Sequence, residues 1–136
     1  MINSNGGTTW DNTIPTGTEW YRANNPCPPG WRVPNFNEIQ KLADTTRVIR
    51  EWITQNEIFG LQITDRATSV KLFLPAVGAL NQHTGNIFGR NENMQIWSST
   101  AFENESEDRA YAFTYLSGVV NVLRRTGRNI RCVVIN

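Results

Sequence analysis

Residues 45–56 read "TTRVIREWITQN", and the fold class turns on whether this stretch is helix or strand. Val48, Ile49, Trp52 and Ile53 recur at i, i+1, i+4 and i+5, which fits an apolar helix face. The spacing predicts a second amphipathic helix, ended by the Asn/Gly region around Asn56 and Gly60. Its Trp/Ile stripe reads as a core face and contains no ligand set.

The first predicted helix lies just upstream, in "NPCPPGWRVPNFNEIQKLAD" (25–44). Pro26, Pro28, Pro29 and Pro34 fix φ and remove N–H donors, so this approach is extended and stiff. Asn35 and Glu38 then stand at capping-box spacing, and Phe36, Ile39 and Leu42 or Ala43 form a stripe. A helix over 36–44 is expected. Residues 1–19, rich in Gly, Thr and Asn, read as an arm or linker, and "TEWYRA" (18–23) as a short strand.

Downstream of Gly60 the pattern changes to short strands. "VKLFLP" (70–75) is one, and residues 76–95 read as mostly loop. "IWSST" (96–100) is another, followed by the polar loop "AFENESED". "RAYAFTYL" alternates, with Tyr111, Phe113 and Tyr115 on one face. Phe113 and Tyr115 are expected to pack on the helices, and Tyr111 is open between packing and stacking on a sugar ring. Ser117–Gly118 marks a tight turn, "VVNVL" returns, "RRTGR" turns again and "NIRCVVIN" is the last strand. The three strands from Arg109 to the end are expected to form an antiparallel meander. Two helices early and a small antiparallel sheet late make an α+β class, with one domain over 20–136.

The 136 residues carry a net charge of +1, so no global field favours nucleic acid or an anionic membrane. No apolar run approaches the ~18 residues needed to span a bilayer, and Met1 opens no signal-peptide pattern. An export signal or upstream domains are expected to belong to a longer parent protein. Cys27 and Cys132 stand 105 residues apart. A zinc site wants closer pairs and more histidine than His83, and a redox pair wants local spacing. One long-range disulfide or two unrelated buried thiols remain.

In order, "NPCPPGWRVPNFNEIQKL", "LFLPAVGALNQHTGNIFG", "IWSST", an Ala-x-x-Phe strand and "GRNIRCVV" resemble a bacterial surface module. It is the Fibrobacter succinogenes major paralogous domain type, found in exported Bacteroidetes proteins and similar to the C-type lectin fold. The likeness spans about residues 20–134. It implies a C-type-lectin-like α+β fold with long loops, a Cys27–Cys132 disulfide joining the ends, and packed Trp31 and Trp97. Ile96 stands where that family usually has an aromatic residue, and "NENMQ" replaces its usual approach. The calcium-binding lectin triplets are missing, with "WSS" at 97–99, so sugar binding through calcium does not carry over. The stretch from Trp97 to Cys132 also looks like the variable region of retroelement-diversified receptor-binding proteins.

Catalysis is not expected. Ser98, Ser99 and Thr100 have no histidine to call on except His83, which reads as a surface-loop residue. The formylglycine-generating enzymes, whose fold is similar, work through reactive cysteines, and the two here look committed to a disulfide. Glu103, Glu105, Glu107 and Asp108 could offer calcium its oxygen ligands, but the EF-hand spacing is missing and the loop reads as solvated. No metal and no cofactor are expected. Arg124, Arg125, Arg128 and Arg131 suit bidentate contacts to sulfate, carboxylate or phosphate, against the plainer reading of a solvated turn.

The expected function is an extracellular ligand-binding or adhesion module, displayed on an exported bacterial protein or a phage particle. Its partner would be a protein or carbohydrate on another cell or host surface. The candidate surface comprises Phe102, Glu103, Glu105, Arg109, Tyr111, Ala112, Thr114, Leu116, Asn121, Arg124, Arg125 and Arg128. Ala112, Thr114, Leu116, Arg124 and Arg125 are taken as its outward positions. The alternative is a structural domain of a larger surface protein with no dedicated ligand.

Overall fold

The computed structural model describes residues 25–102 and 109–135. Its elements run β1 (Trp31–Arg32), α1 (Phe36–Ala43), β2 (Val48–Gln55), β3 (Ile58–Asp65), β4 (Lys71–Pro75), β5 (Ala79–Leu80), β6 (Ile87–Phe88), β7 (Gln95–Ala101), β8 (Arg109–Thr114), β9 (Gly118–Leu123) and β10 (Val133–Val134). The two-helix α+β expectation is therefore corrected: the described residues are mostly strand, in several small antiparallel sheets, with one short helix.

The stretch at 45–56 overturns it. Val48–Gln55 pairs antiparallel with Ile58–Asp65 over its whole length, from Val48 opposite Asp65 to Gln55 opposite Ile58. Val48, Ile49, Ile53 and Thr54 are β-branched, and Trp52 also favours strands. Asn56 and Glu57, both at positive φ (49° and 65°), form the two-residue reversal that matches strand twist. β4 completes this sheet on the far side of β3. Trp52, Leu61 and Leu74 sit at one register level on the core-facing side.

The first helix forms as its capping signals predict. The Asn35 side chain accepts from the Glu38 N–H at 3.0 Å, and Glu38 accepts from the Asn35 N–H at 2.9 Å. Arg32 reaches Glu38 with both terminal nitrogens at 2.7 Å, which ties β1 to the first helical turn. The Phe36 N–H, otherwise unsatisfied at a helix start, donates to Thr100 Oγ1 at 2.9 Å. Ile39 carries the helix into a core with Val48, Leu61, Ile63, Leu74, Met94, Ile96 and Phe113.

The predicted meander exists with different members. Its strand order is β7-β8-β9, so "IWSST" rather than the C-terminal strand is the third partner. The C-terminal residues instead pair with β1, Trp31 opposite Val134 and Arg32 opposite Val133. Cys27 and Cys132 are bonded, with Cα atoms 5.9 Å apart, so the approach to α1 is stapled to the end of the chain. Trp97 is buried as expected. Trp31 is not: on a two-residue strand with one partner it stays 42% exposed.

Each face of the meander is covered by a different element. Phe113 and Val119 look toward α1, and Tyr115 stacks on Trp52 with ring centroids 4.7 Å apart. On the opposite face Trp97 packs with Ala110, Ala112 and Val122. The segment after β9 returns along the free edge of β7: Asn129 bridges to Ile96, and its carbonyl accepts from the Trp97 N–H at 2.9 Å.

Candidate functional site

That fold-back places the predicted surface residues in three groups. The register of β8 and β9 sets Arg109 opposite Leu123 and Tyr111 opposite Asn121. Arg109 therefore stands at the end of the sheet from which the Arg124–Arg128 loop leaves. Phe102 joins them, because its N–H donates to the Arg109 carbonyl at 3.1 Å. Leu116 is exposed in the turn at the other end of the hairpin, six paired positions away.

Ala112 and Thr114 do not point outward. Ala112 is fully buried opposite Trp97, and Thr114 is buried opposite Gln95, with its Oγ1 accepting from the Ser117 N–H. Sequence alternation predicted two faces correctly but assumed that one was open. Trp97 packs on it, and the Arg128 side chain lies over Trp97. Glu103 and Glu105 lie outside the described residues, as does the rest of the acidic loop.

At the arginine end, Arg109 Nη1 donates to the Asn121 side chain at 3.1 Å. Tyr111 is half-buried between Phe36 and Phe102, with ring centroids at 4.4 and 5.5 Å. The aromatic group extends the core to the base of the arginine loop. Arg124 and Arg125 occupy the centre of a turn closed by the Thr126 N–H and hydroxyl on the Leu123 carbonyl.

Beyond the turn, the loop is held by three elements. Leu80 of β5 exchanges both backbone hydrogen bonds with Gly127, at 2.7 and 3.2 Å. A Cβ at Gly127 would come within 2.8 Å of the Leu80 side chain, so glycine permits this close approach. The Asn129 amide donates to the carbonyls of Gly78 and Gln95. Arg128 lies over the Trp97 ring, 5.2 Å from its centroid. It also donates from Nε to Gln95 Oε1 at 2.8 Å and from Nη1 to Thr126 Oγ1. Burial pushes the Arg128 guanidinium below its ordinary pKa, and the group remains a cation. Arg125 donates from Nε to Gln82 Oε1 at 2.7 Å, across to the β5–β6 turn.

Gln82, Gln95 and Asn129 were not on the predicted surface. Each is a long-range partner of the arginine loop, and a single sequence carries no local signal for such a pairing. Ion pairs between described residues join Arg32 to Glu38 and Arg47 to Asp44, both beside α1.

Two hydroxyls of the "SST" strand are structural acceptors: Ser98 Oγ takes the Thr100 N–H, and Thr100 Oγ1 takes the Phe36 N–H. His83 is exposed and its ring lies 2.8 Å from Gln82 Nε2, so no base stands beside these hydroxyls among the described contacts. Among the described residues, no group of three or more His, Cys, Asp or Glu is placed to hold a metal ion. Two open depressions, of about 650 and 460 Å³, lie along α1 and the 63–72 segment and are lined by none of the predicted residues. No protein-family model, curated protein or solved structure matches this chain.

Proposed function

We propose that this chain is an extracellular recognition module, acting by binding and not by chemistry. Its contact surface would be the end of the molecule where the Arg124–Arg128 loop meets the β5–β6 hairpin. The observation that carries the reading is the fixation of that loop. It is bonded to β5 by its backbone, to β7 through Asn129 and Arg128, and to the β5–β6 turn through Arg125. Polar side chains held on a rigid frame lose little entropy on binding, which is what a recognition surface requires.

The Cys27–Cys132 bond agrees with an oxidising compartment. No described helix is long and apolar enough to cross a membrane. The sequence likeness to exported bacterial surface modules points the same way. Labelled protein applied to a panel of bacterial and host cells tests the reading. Binding that is abolished by the double change Arg124→Ala and Arg125→Ala supports it.

A second reading, a structural domain within a larger surface protein, has its own observation. Trp31, Val134 and Ile135 leave an exposed apolar patch at the β1–β10 end, suited to packing on a neighbouring domain. Cell binding that survives the double change, or no cell binding at all, favours this second reading.

A further inference from the structure

We propose that Arg125 and Arg128, with the adjoining β5–β6 turn, bind the sulfate or carboxylate groups of an acidic glycan. The inference rests on the recognition reading above and names the ligand class for that surface.

Both arginines are held by the same kind of contact. Each donates its Nε to a glutamine oxygen, Arg125 to Gln82 at 2.7 Å and Arg128 to Gln95 at 2.8 Å. An amide oxygen fixes the plane of a guanidinium without neutralising its charge, as a carboxylate would. Arg125 is exposed and Arg128 is partly exposed, and neither Nη2 has a described hydrogen bond. A planar cation held along one edge, with N–H groups left over, matches a flat or tetrahedral oxyanion.

The scaffold behind them is rigid. Gln95 is only 6% exposed, and its backbone carbonyl is held by Asn129. The Leu80–Gly127 bridge fixes the loop relative to the turn that carries Gln82. The rim is polar: Gln82, Thr84 and Asn86 of "NQHTGN" supply amide and hydroxyl groups suited to sugar hydroxyls. A nucleic acid is matched less well. The net charge is only +1, and the face of Trp97 is taken by Arg128, which leaves no stacking platform there.

Calorimetric titration of the full chain tests the assignment, with heparin, polygalacturonate and neutral dextran as probes at low and physiological salt. We expect binding to heparin, polygalacturonate or both, but not to dextran, with affinity falling as salt rises. Heparin alone identifies sulfate as the recognised group, and polygalacturonate alone identifies carboxylate. Arg125→Ala and Arg128→Lys should each weaken binding by about tenfold to a hundredfold. Gln82→Ala should weaken it less, and Arg66→Ala, in the β3–β4 turn, should leave it unchanged.

Equal loss in Arg66→Ala, equal binding to dextran, no binding to either acidic polymer, or tighter binding to duplex DNA or a phosphopeptide would each overturn the inference. If cell binding still depends on Arg125 in any of those cases, the recognition reading stands and only the ligand class falls. If cell binding is also lost or indifferent to Arg125, both fall.

Discussion

Arg128 lies across the indole of Trp97, 5.2 Å from the ring centroid, while its Nε is held by Gln95. Trp97 and Gln95 are alternate residues of β7, so one side chain reads two positions on the same sheet face. The contact sits on the Trp97 ring that packs with Ala112 and fixes the loop proposed for recognition. Arg128→Lys keeps the charge but loses both the planar stack and the fork. It is expected to destabilise the protein by about 1–3 kcal/mol in urea unfolding, with altered Trp fluorescence. A change within experimental error would show that the stack is incidental.

The disulfide closes a long loop. Replacing Cys27 and Cys132 together by serine is expected to cost about 2–5 kcal/mol, read as a lower melting temperature. Adding reductant to the native protein should reproduce that loss, and should leave the serine variant unaffected.

At the helix start, the hydrogen bonds from Arg32 hold the Glu38 carboxyl below its ordinary pKa, with the Asn35 N–H adding to the effect. Asp44 and Asp65 are lowered in the same direction, chiefly by hydrogen bonds from Thr46 and Thr68. A carboxylate with a depressed folded pKa contributes stability that is fully present above its unfolded value. That contribution is lost as pH falls through the folded value. Stability should therefore decline below the ordinary carboxylate range, and Glu38→Gln should make the decline shallower. Asn35→Ala should cost about 1 kcal/mol, with little dependence on pH above neutrality.

Glu57 occupies the left-handed region at φ 65°, where a side chain is unfavourable. Glu57→Gly converts the turn to Asn-Gly and is expected to stabilise the protein by about 1 kcal/mol in denaturant unfolding. Destabilisation instead would mean that the Glu57 side chain makes a contact worth more than its backbone strain.

Local signals in this sequence read well, and non-local ones did not. The capping pair Asn35–Glu38 gave the helix, and Pro75 and Ser117–Gly118 gave strand boundaries, because those features act within a few residues. Val48–Gln55 failed for a physical reason. Its two apolar pairs fit a helical stripe, but they also fit a strand that carries apolar residues on both faces, with Trp52 inward and Ile49 outward and exposed. The partner, Ile58–Asp65, decided the outcome, and Asn56–Glu57 was the missed signal because only Asn is a usual residue for that turn. The arginine loop was legible as a turn, whereas its anchors Gln82 and Gln95 lie 43 and 33 residues away in sequence. For the same reason Ala112 and Thr114 read as outward: nothing in β8 announces that Trp97 and Gln95 of β7 stand beside them with Arg128 on top.

The most direct test of the central claim is amide hydrogen exchange with the protein bound to its target cells or to heparin. Protection is predicted at residues 79–88 and 121–129, where the arginine loop meets the β5–β6 hairpin. Protection confined to α1, or to the β2–β3 hairpin, with the arginine loop unchanged, would contradict it.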